Sequence, residues 1–174
     1  MSIFIYLKKL FSLFLLLIFI AGCAKTSPNT PAVIKDFDIY KFSGTWYEIA
    51  KIQKDGEVLK NTTINYSIET PQEIKIVVRG QKADEGFKKL QSSAKFSDDR
   101  KTAALQIQVF GPVYKPYNIV KLDAYRYAMI FGESDEMWII SRTKTISELV
   151  KALYLDYAKN NGYDINKIIW IRQN

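Results

Sequence analysis

The chain has 174 residues, with 25 Lys and Arg against 18 Asp and Glu, which gives a formal net charge of +7. It contains no histidine, which removes the commonest metal ligand and excludes both Ser-His-Asp and Cys-His catalysis. The basic residues form no cluster interleaved with aromatic residues, so nucleic-acid binding is not expected. We therefore predict no catalytic residues, no metal ligands and no cofactor.

Residues 1–22 have the pattern of an export signal. Lys8 and Lys9 precede an apolar run over residues 10–21, which is too short for the ~20 residues of a membrane-spanning helix. The run leads into Ile20-Ala21-Gly22-Cys23, which resembles the lipobox of bacterial lipoproteins. That resemblance implies cleavage before Cys23 and a lipid anchor on its thiol. The alternative is an ordinary signal peptide with an incidental cysteine.

The rest of the chain is predicted to be a short tether followed by one domain. Residues 23–32 comprise the lipidated N-terminus and a polar segment rich in Ser, Thr, Asn and Pro, which is typical of a linker. Residues 33–174 have the length of a single domain. Because Cys23 is the only cysteine, this domain is expected to fold without a disulfide.

Eight segments of alternating apolar and polar residues predict β-strands. In one of them Ile64, Tyr66 and Ile68 share a face opposite polar neighbours, as in a strand with one buried side. The predicted strands are Thr45–Gln53, Thr62–Glu69, Glu73–Arg79, Lys88–Phe96, Lys101–Phe110, Tyr117–Leu122, Tyr125–Phe131 and Met137–Arg142.

One helix and a short last strand are predicted after these strands. Thr145 and Glu148 have the spacing of a capping box, and Asn160-Asn161-Gly162 is typical of a helix end. The last strand is predicted over Lys167–Arg172. The apolar stripe of the helix, at helical spacing, consists of Ile146, Leu149, Val150, Leu153, Tyr154 and Tyr157.

This order of elements predicts an all-β fold. We expect an eight-stranded antiparallel up-and-down barrel, with the helix packed on its outside and a short final strand. A β-sandwich also fits the alternation but gives no reason for a single late helix.

Three ordered motifs resemble those of the lipocalin family. Gly44-Thr45-Trp46-Tyr47-Glu48-Ile49-Ala50 resembles the G-x-W signature that opens the barrel. Leu122-Asp123-Ala124-Tyr125-Arg126-Tyr127 resembles the second signature, and Trp138-Ile139-Ile140-Ser141-Arg142-Thr143 the third. Together with the lipobox, Phe110-Gly111-Pro112 makes the chain similar to bacterial outer-membrane lipocalins, which are related to apolipoprotein D and plant temperature-induced lipocalins.

The resemblance implies structural roles for the signature residues. Trp46 would cross the closed end of the barrel with Arg142 over its ring, a cation–π contact. Gly44 would let the chain turn into the barrel. Asp123 and Tyr125 belong to the second signature and receive no ligand role.

Strand parity then predicts which side chains face the lumen. If Trp46 points inward, then Glu48, Ala50 and Ile52 do so too, and a buried Glu48 needs a partner. Met137 and Ile139 should face outward, under the helix. The predicted ligand-binding residues are Tyr66, Ile74, Ile76, Val78, Leu105, Ile107, Val109, Tyr117, Ile119 and Trp138.

The resemblance implies a membrane-anchored carrier of small hydrophobic ligands. Fatty acids or lysophospholipids are the expected ligands, and membrane lipid storage, transport or maintenance the expected role. Ala24, rather than Asp, after Cys23 favours the outer membrane of the cell envelope. A homodimer is compatible with the resemblance. The alternatives are a structural or interaction lipoprotein with a filled barrel and, more remotely, a lipid-modifying enzyme.

Overall fold

The computed structural model describes residues 32–54 and 56–174. The predicted signal peptide, Cys23 and nearly all of the tether therefore lie outside the described residues. No helix within the described ranges is long and apolar enough to cross a membrane. The elements in chain order are α1 (Ile39–Phe42), β1 (Gly44–Ile52), β2 (Lys60–Thr70), β3 (Glu73–Gln81), β4 (Phe87–Phe96), β5 (Ala104–Phe110), β6 (Val113–Asp123), β7 (Tyr127–Phe131), β8 (Met137–Ser141), α2 (Glu148–Asn160), a 3₁₀ turn (Ile165–Lys167) and β9 (Ile169–Trp170).

The first eight strands close into a barrel. Strands β1 to β7 each pair antiparallel with the next strand in the chain, and β1 pairs with β8 as well as with β2. The short β9 pairs with β1 through Ala50 and Lys51, beyond the part of β1 that pairs with β2. This confirms the predicted up-and-down barrel with a final strand, and it excludes the sandwich.

Two hydrophobic clusters lie on the two sides of the barrel wall. The inner cluster is built on Trp46, Tyr66, Leu105 and Ile140. The outer cluster joins Met129, Met137 and Ile139 to residues of α2 such as Tyr154 and Ala158, so the helix packs on the outside of the sheet as predicted. Both clusters lie within residues 32–174, and this part of the chain therefore carries its own core.

A β-bulge in β1 corrects the parity predicted for its second half. The register moves from Glu48 opposite Ile140 to Ala50 opposite Ile139, which leaves one extra residue between them. A bulge of this kind reverses the side-chain alternation beyond it. The prediction that Ala50 and Ile52 face the lumen is therefore wrong, and both belong to the outer cluster.

Helix α2 begins two residues later than the capping box predicts. The N-cap is Ser147, whose hydroxyl accepts a hydrogen bond from the amide of Val150, rather than Thr145. The predicted stripe is partly wrong as well, because Leu149 and Leu153 are exposed. Ala158 packs on the sheet instead, together with Val150, Tyr154 and Tyr157.

A short helix that the sequence pattern did not predict closes one end of the barrel. Asp38 caps α1 by accepting hydrogen bonds from the amides of Tyr40 and Lys41. The last residue of α1, Phe42, is fully buried, with its ring centroid 4.9 Å from those of both Trp46 and Tyr66. Aromatic pairs at such distances add to the apolar area they bury, so α1 acts as a plug.

Arg142 joins this plug to the end of β8. Its guanidinium lies 3.9 Å from the centroid of the Trp46 ring. It donates to the carbonyls of Lys41, Phe42, Ser43 and Thr45 at 2.8–3.0 Å. The structure thus pairs Trp46 with Arg142 at the closed end, as the resemblance implied.

We predict that Arg142→Met destabilises the domain. The variant removes the donor to the carbonyls of Lys41, Ser43 and Thr45, while Phe42 keeps its hydrogen bond from Trp46 Nε1. It also removes the cation–π contact, so the free energy of unfolding should fall by about 2–4 kcal/mol. Arg126→Met is the matched control, since Arg126 is exposed and should change stability by less than ~0.5 kcal/mol. Urea unfolding followed by tryptophan fluorescence measures both, and equal losses in the two variants would contradict the assigned role.

Candidate functional site

The lumen has a closed end and a mouth. The closed end lies where β1 begins, at α1 and Arg142. Because successive hairpins of an up-and-down barrel turn at alternate ends, the mouth lies at the other ends of the strands. It is bordered by the β1–β2 loop and by the β3–β4, β5–β6 and β7–β8 turns.

A tyrosine pair crosses the lumen above the closed end. The hydroxyls of Tyr66 on β2 and Tyr117 on β6 lie 2.5 Å apart and share a hydrogen bond. Burial raises the pKa of both phenols, and the Glu48 carboxylate raises both pKa values further. Both phenols are therefore neutral at physiological pH, and together they form a floor across the barrel.

Six of the ten predicted ligand-binding residues lie in a solidly packed half of the lumen. All six belong to the inner cluster, and none is more than 4% exposed. A side chain with so little accessible surface has no water-sized space beside it, so this half is filled in the described structure. These residues are Tyr66, Ile74, Ile76, Leu105, Tyr117 and Ile119.

The other four predicted residues lie toward the mouth. Val78, Ile107 and Trp138 are half-buried and pack against the inner cluster, and Val109 is exposed. The Trp138 ring centroid lies 5.5 Å from that of Tyr117. On its other side the ring packs on Gly132, where an added Cβ would come within 2.9 Å of it. The mouth half of the lumen thus has apolar walls with one indole held in place.

An ion pair lies inside the barrel. The sequence analysis predicted a partner for Glu48 but did not identify Lys51 as that partner. The register places Glu48 opposite Ile140 and, beyond the bulge, Lys51 opposite Trp138. Both side chains therefore face the lumen, with Lys51 Nζ 3.4 Å from Glu48 Oε2 and side-chain exposures of 8% and 4%. Glu48 points inward as its parity with Trp46 predicts, and Lys51 is the partner that its burial requires.

The environment of Glu48 is dominated by its burial. Burial raises the pKa of this carboxyl, and the charge of Lys51 partly offsets the rise. No hydrogen bond to Glu48 Oε2 is found among the described residues. The pair thus places hydrogen-bonding capacity within an otherwise apolar lumen.

The second signature has a structural role. The hydroxyl of Tyr125 accepts a hydrogen bond from the amide of Asp38, which leads into α1. Asp123 Oδ2 accepts a hydrogen bond from the Tyr154 hydroxyl of α2, at 2.8 Å. These residues hold the two helices to the barrel and lie away from the mouth half of the lumen.

The barrel wall is incompletely paired between β4 and β5. Their ladder has three residue pairs, from Phe96↔Leu105 to Ala94↔Ile107, whereas β3 and β4 share nine. Nearer the mouth, the Ser92 hydroxyl donates to the carbonyl of Gln108 instead. A polar groove of about 320 Å³ lies here on the outer surface, lined by Glu69, Thr70, Glu73, Lys75, Gln91, Ser92, Ser93 and Gln108.

The sequence signals for these unpredicted features are weak. A bulge has no fixed sequence pattern, so Lys51 reads as part of an exposed face. The groove residues lie mostly on outward-facing positions, which the alternation marks as solvated. No cluster of three or more potential metal ligands occurs within the described part of the chain.

Comparisons with known proteins point to one family. A family model described as a lipocalin-like domain matches residues 37–173. The outer membrane lipoprotein Blc of Citrobacter freundii is 38% identical over 158 residues, which cover 88% of this chain and 89% of that protein. Mouse apolipoprotein D is 28% identical over 80% of this chain and 78% of its own. Lobster apocrustacyanin A1 shares the fold, with a TM-score of 0.65 at 16% identity, covering 86% of this chain and 94% of its own.

We predict that removing one partner of the lumenal ion pair destabilises the domain, whereas replacing both partners together does not. Lys51→Met leaves the buried Glu48 carboxylate without a counter-charge and should lower the free energy of unfolding by about 3–5 kcal/mol at pH 7. The double variant Glu48→Gln/Lys51→Met should be about as stable as the wild type, because an apolar or neutral pair needs no charge desolvation. Urea unfolding measures this, and a double variant no more stable than the single one would refute it.

Because Glu48 is buried, we predict that the stability of the domain depends on pH. The pKa of Glu48 is higher in the folded protein than its ordinary value of 4.5, so folding takes up a proton at this carboxyl. Its contribution to stability is therefore fully present below pH 4.5 and declines as pH rises through the folded-state pKa. The double variant should lack this component, which urea unfolding over about pH 4–7 will detect.

Proposed function

The chain belongs to the lipocalin family, and we propose that it binds small hydrophobic ligands in the mouth half of its barrel. The observation that carries the proposal is the contrast between the two halves of the lumen. Below the Tyr66–Tyr117 floor the side chains are fully buried, whereas Val78, Ile107 and Trp138 above it keep accessible apolar surface. Covering that surface with a ligand gains about 25 cal/mol per Å².

The expected ligand has an acyl chain and one polar group. Val78, Ile107 and Val109 offer branched aliphatic contacts, which suit an acyl chain. The indole N–H of the half-buried Trp138 offers a hydrogen bond to a polar group. Fatty acids and lysophospholipids fit this description, and we propose them as the ligands. With no histidine in the chain, we propose binding rather than catalysis.

We propose that the barrel is tethered to the cell envelope through lipidated Cys23. The lipobox motif of residues 20–23 supports this, as do relatives named outer membrane lipoprotein. Ala24 after Cys23 favours the outer membrane. Membrane lipid storage, transport or maintenance is the role we propose for such an anchored carrier.

One observation favours a second candidate function. Because the closed half is packed solid, the barrel could be an interaction lipoprotein whose core is simply filled. The two functions differ in whether the mouth half accepts a ligand, which a substitution within the lumen can decide.

We predict that Val78→Trp abolishes most ligand binding. Residues 24–174 are purified without the lipid anchor, delipidated and titrated with the fluorescent fatty acid cis-parinaric acid. An indole in the lumen should weaken binding about tenfold or more, which corresponds to ~1.4 kcal/mol. Arg79→Trp is the matched control, since Arg79 is the next residue on β3 and lies exposed on the outer face.

The outcomes of this titration separate the two functions. Ligand binding is supported if the control binds as the wild type does while the lumenal variant does not. Equal affinity in the two variants, or a wild type that binds no fatty acid and carries none by native mass spectrometry, would favour the filled barrel.

We predict that Cys23→Ala removes the protein from membranes. The variant lacks the thiol that would receive the lipid, and without acyl chains the stable anchor is lost. Fractionation of cells followed by immunoblotting measures the membrane-bound share and the processed size. A variant that stays processed and membrane-bound like the wild type would exclude lipidation at this residue.

A further inference from the structure

Five exposed apolar side chains gather at the mouth of the barrel. Phe87 and Phe110 are 85% and 82% exposed, and Leu90, Val109 and Val113 are each about half exposed. We call these five residues the rim patch. They lie on the β3–β4 and β5–β6 hairpins, which both turn at the mouth. The five other large exposed apolar residues of the described chain are Tyr40 on α1, Val58 on the β1–β2 loop, Leu149 and Leu153 on α2, and Trp170 on β9.

The separation of β4 from β5 leaves apolar side chains near the mouth ends of these two strands without a neighbouring strand. Since the ladder between these strands ends at Ala94 and Ile107, the segments nearer the mouth lack each other as neighbours. Leu90 lies opposite Val78 on the lumenal face of β4, and on β5 the register shifts between Gln108 and Phe110, just beyond Ile107. The rim patch therefore adjoins the apolar wall of the lumen at Leu90.

The exposed area needs a partner. Isolated apolar residues on a surface are ordinary, but several exposed apolar residues on two hairpins at one end of the barrel are typical of an interaction site. A stable complex between two protein copies uses roughly 20–30 residues on each side, far more than the rim patch provides. A bilayer surface needs no such extended complementary area, because a few apolar side chains can insert among the acyl chains.

The length of the chain before the barrel allows the mouth to face a bilayer. The chain joins the barrel wall at Ile34, whose amide donates to the carbonyl of Ile119 and whose carbonyl accepts from Ala103, near the start of β5. Roughly ten residues separate Cys23 from Ile34, and when extended they span up to ~35 Å. The longest strands have 11 residues, or ~36 Å along the strand and less along the tilted barrel axis.

The charges beside the rim patch suit a lipid surface. Lys88 and Lys89 directly follow Phe87. Lys88 pairs with Glu57, whereas Lys89 is exposed with no ion pair among the described residues. Lys115, on β6, lies at the same end and pairs with Glu133. Lysine stems cover apolar surface while their ammonium groups stay in the head-group layer.

We propose that the rim patch docks the barrel mouth onto the surface of a lipid bilayer. Docking would place the open lumen against the acyl chains, so that a lipid passes between membrane and barrel with little exposure to water. The inference rests on the proposed membrane location, but it does not require that ligand binding be correct.

The test uses residues 24–174 without their lipid anchor, a segment that contains the whole described core. Its binding to vesicles of equal parts phosphatidylglycerol and phosphatidylcholine is measured by co-sedimentation. Phe87→Ser/Phe110→Ser should reduce the membrane partition coefficient about tenfold or more. Leu149→Ser/Leu153→Ser is the matched control, since these side chains are 69% and 53% exposed on α2, and it should bind as the wild type does.

Three results would overturn the proposal. The first is a wild type that does not bind the vesicles, and the second is an equal loss of binding in both double variants. The third is a wild-type dimer, by analytical ultracentrifugation, that only the rim variant converts to a monomer, since a second copy would then cover the patch. Titration of the rim variant with cis-parinaric acid in solution reports on ligand binding separately, so the two proposals can fail independently.

Discussion

The guanidinium of Arg142 holds together the end of the barrel on which the rest of the structure is built. The chain from Lys41 to Thr45 leaves α1 and enters β1, so several of its carbonyls lack a partner in either a helix or a sheet. Arg142 donates to four of them from the end of β8 while it covers the Trp46 ring. Carbonyls that are partly shielded from water and lack a donor are costly, and one planar group with several donors can satisfy them together. Because β1 begins at this point, the position of Arg142 also fixes how the plug meets the sheet.

Closure of the sheet then determines which side chains face the lumen. Alternating residues face a lumen that water does not reach at the closed end, and that end is filled by aromatic and branched side chains. One extra residue in β1 changes this pattern. Beyond the bulge, Lys51 points inward to meet Glu48, while Ala50 and Ile52 join the outer core. A single irregularity therefore brings Lys51 into the lumen beside Glu48 and places two apolar residues against the helix side.

Along the barrel axis the lumen changes from solid to open. The plug and the tyrosine floor occupy the closed end, the ion pair and the Trp138 indole lie above them, and the half-buried aliphatic wall runs out to the rim patch. This gradient suits a carrier whose ligand enters at one end and meets a fixed floor. It also explains why the exposed apolar residues gather at the mouth, where β4 and β5 no longer pair. The proposed site and the proposed docking surface are thus neighbouring parts of one apolar surface.

The eight strands and the late helix follow from the residue pattern, and the resemblance to the lipocalin motifs adds their closure into a barrel. A strand with one buried face leaves a period-two pattern, and the motifs around Trp46 and Arg142 mark the two strands that close the sheet. The sequence could not reveal α1, because four residues are too few for a helical period. Nor could it reveal the bulge beside Glu48, since an inserted residue has no distinctive composition. The division of the lumen into a packed half and an accessible half was decided only by the tertiary structure. Side chains such as Ile74 and Ile107 look alike in the sequence, and only the distances between strands determine which of them is covered.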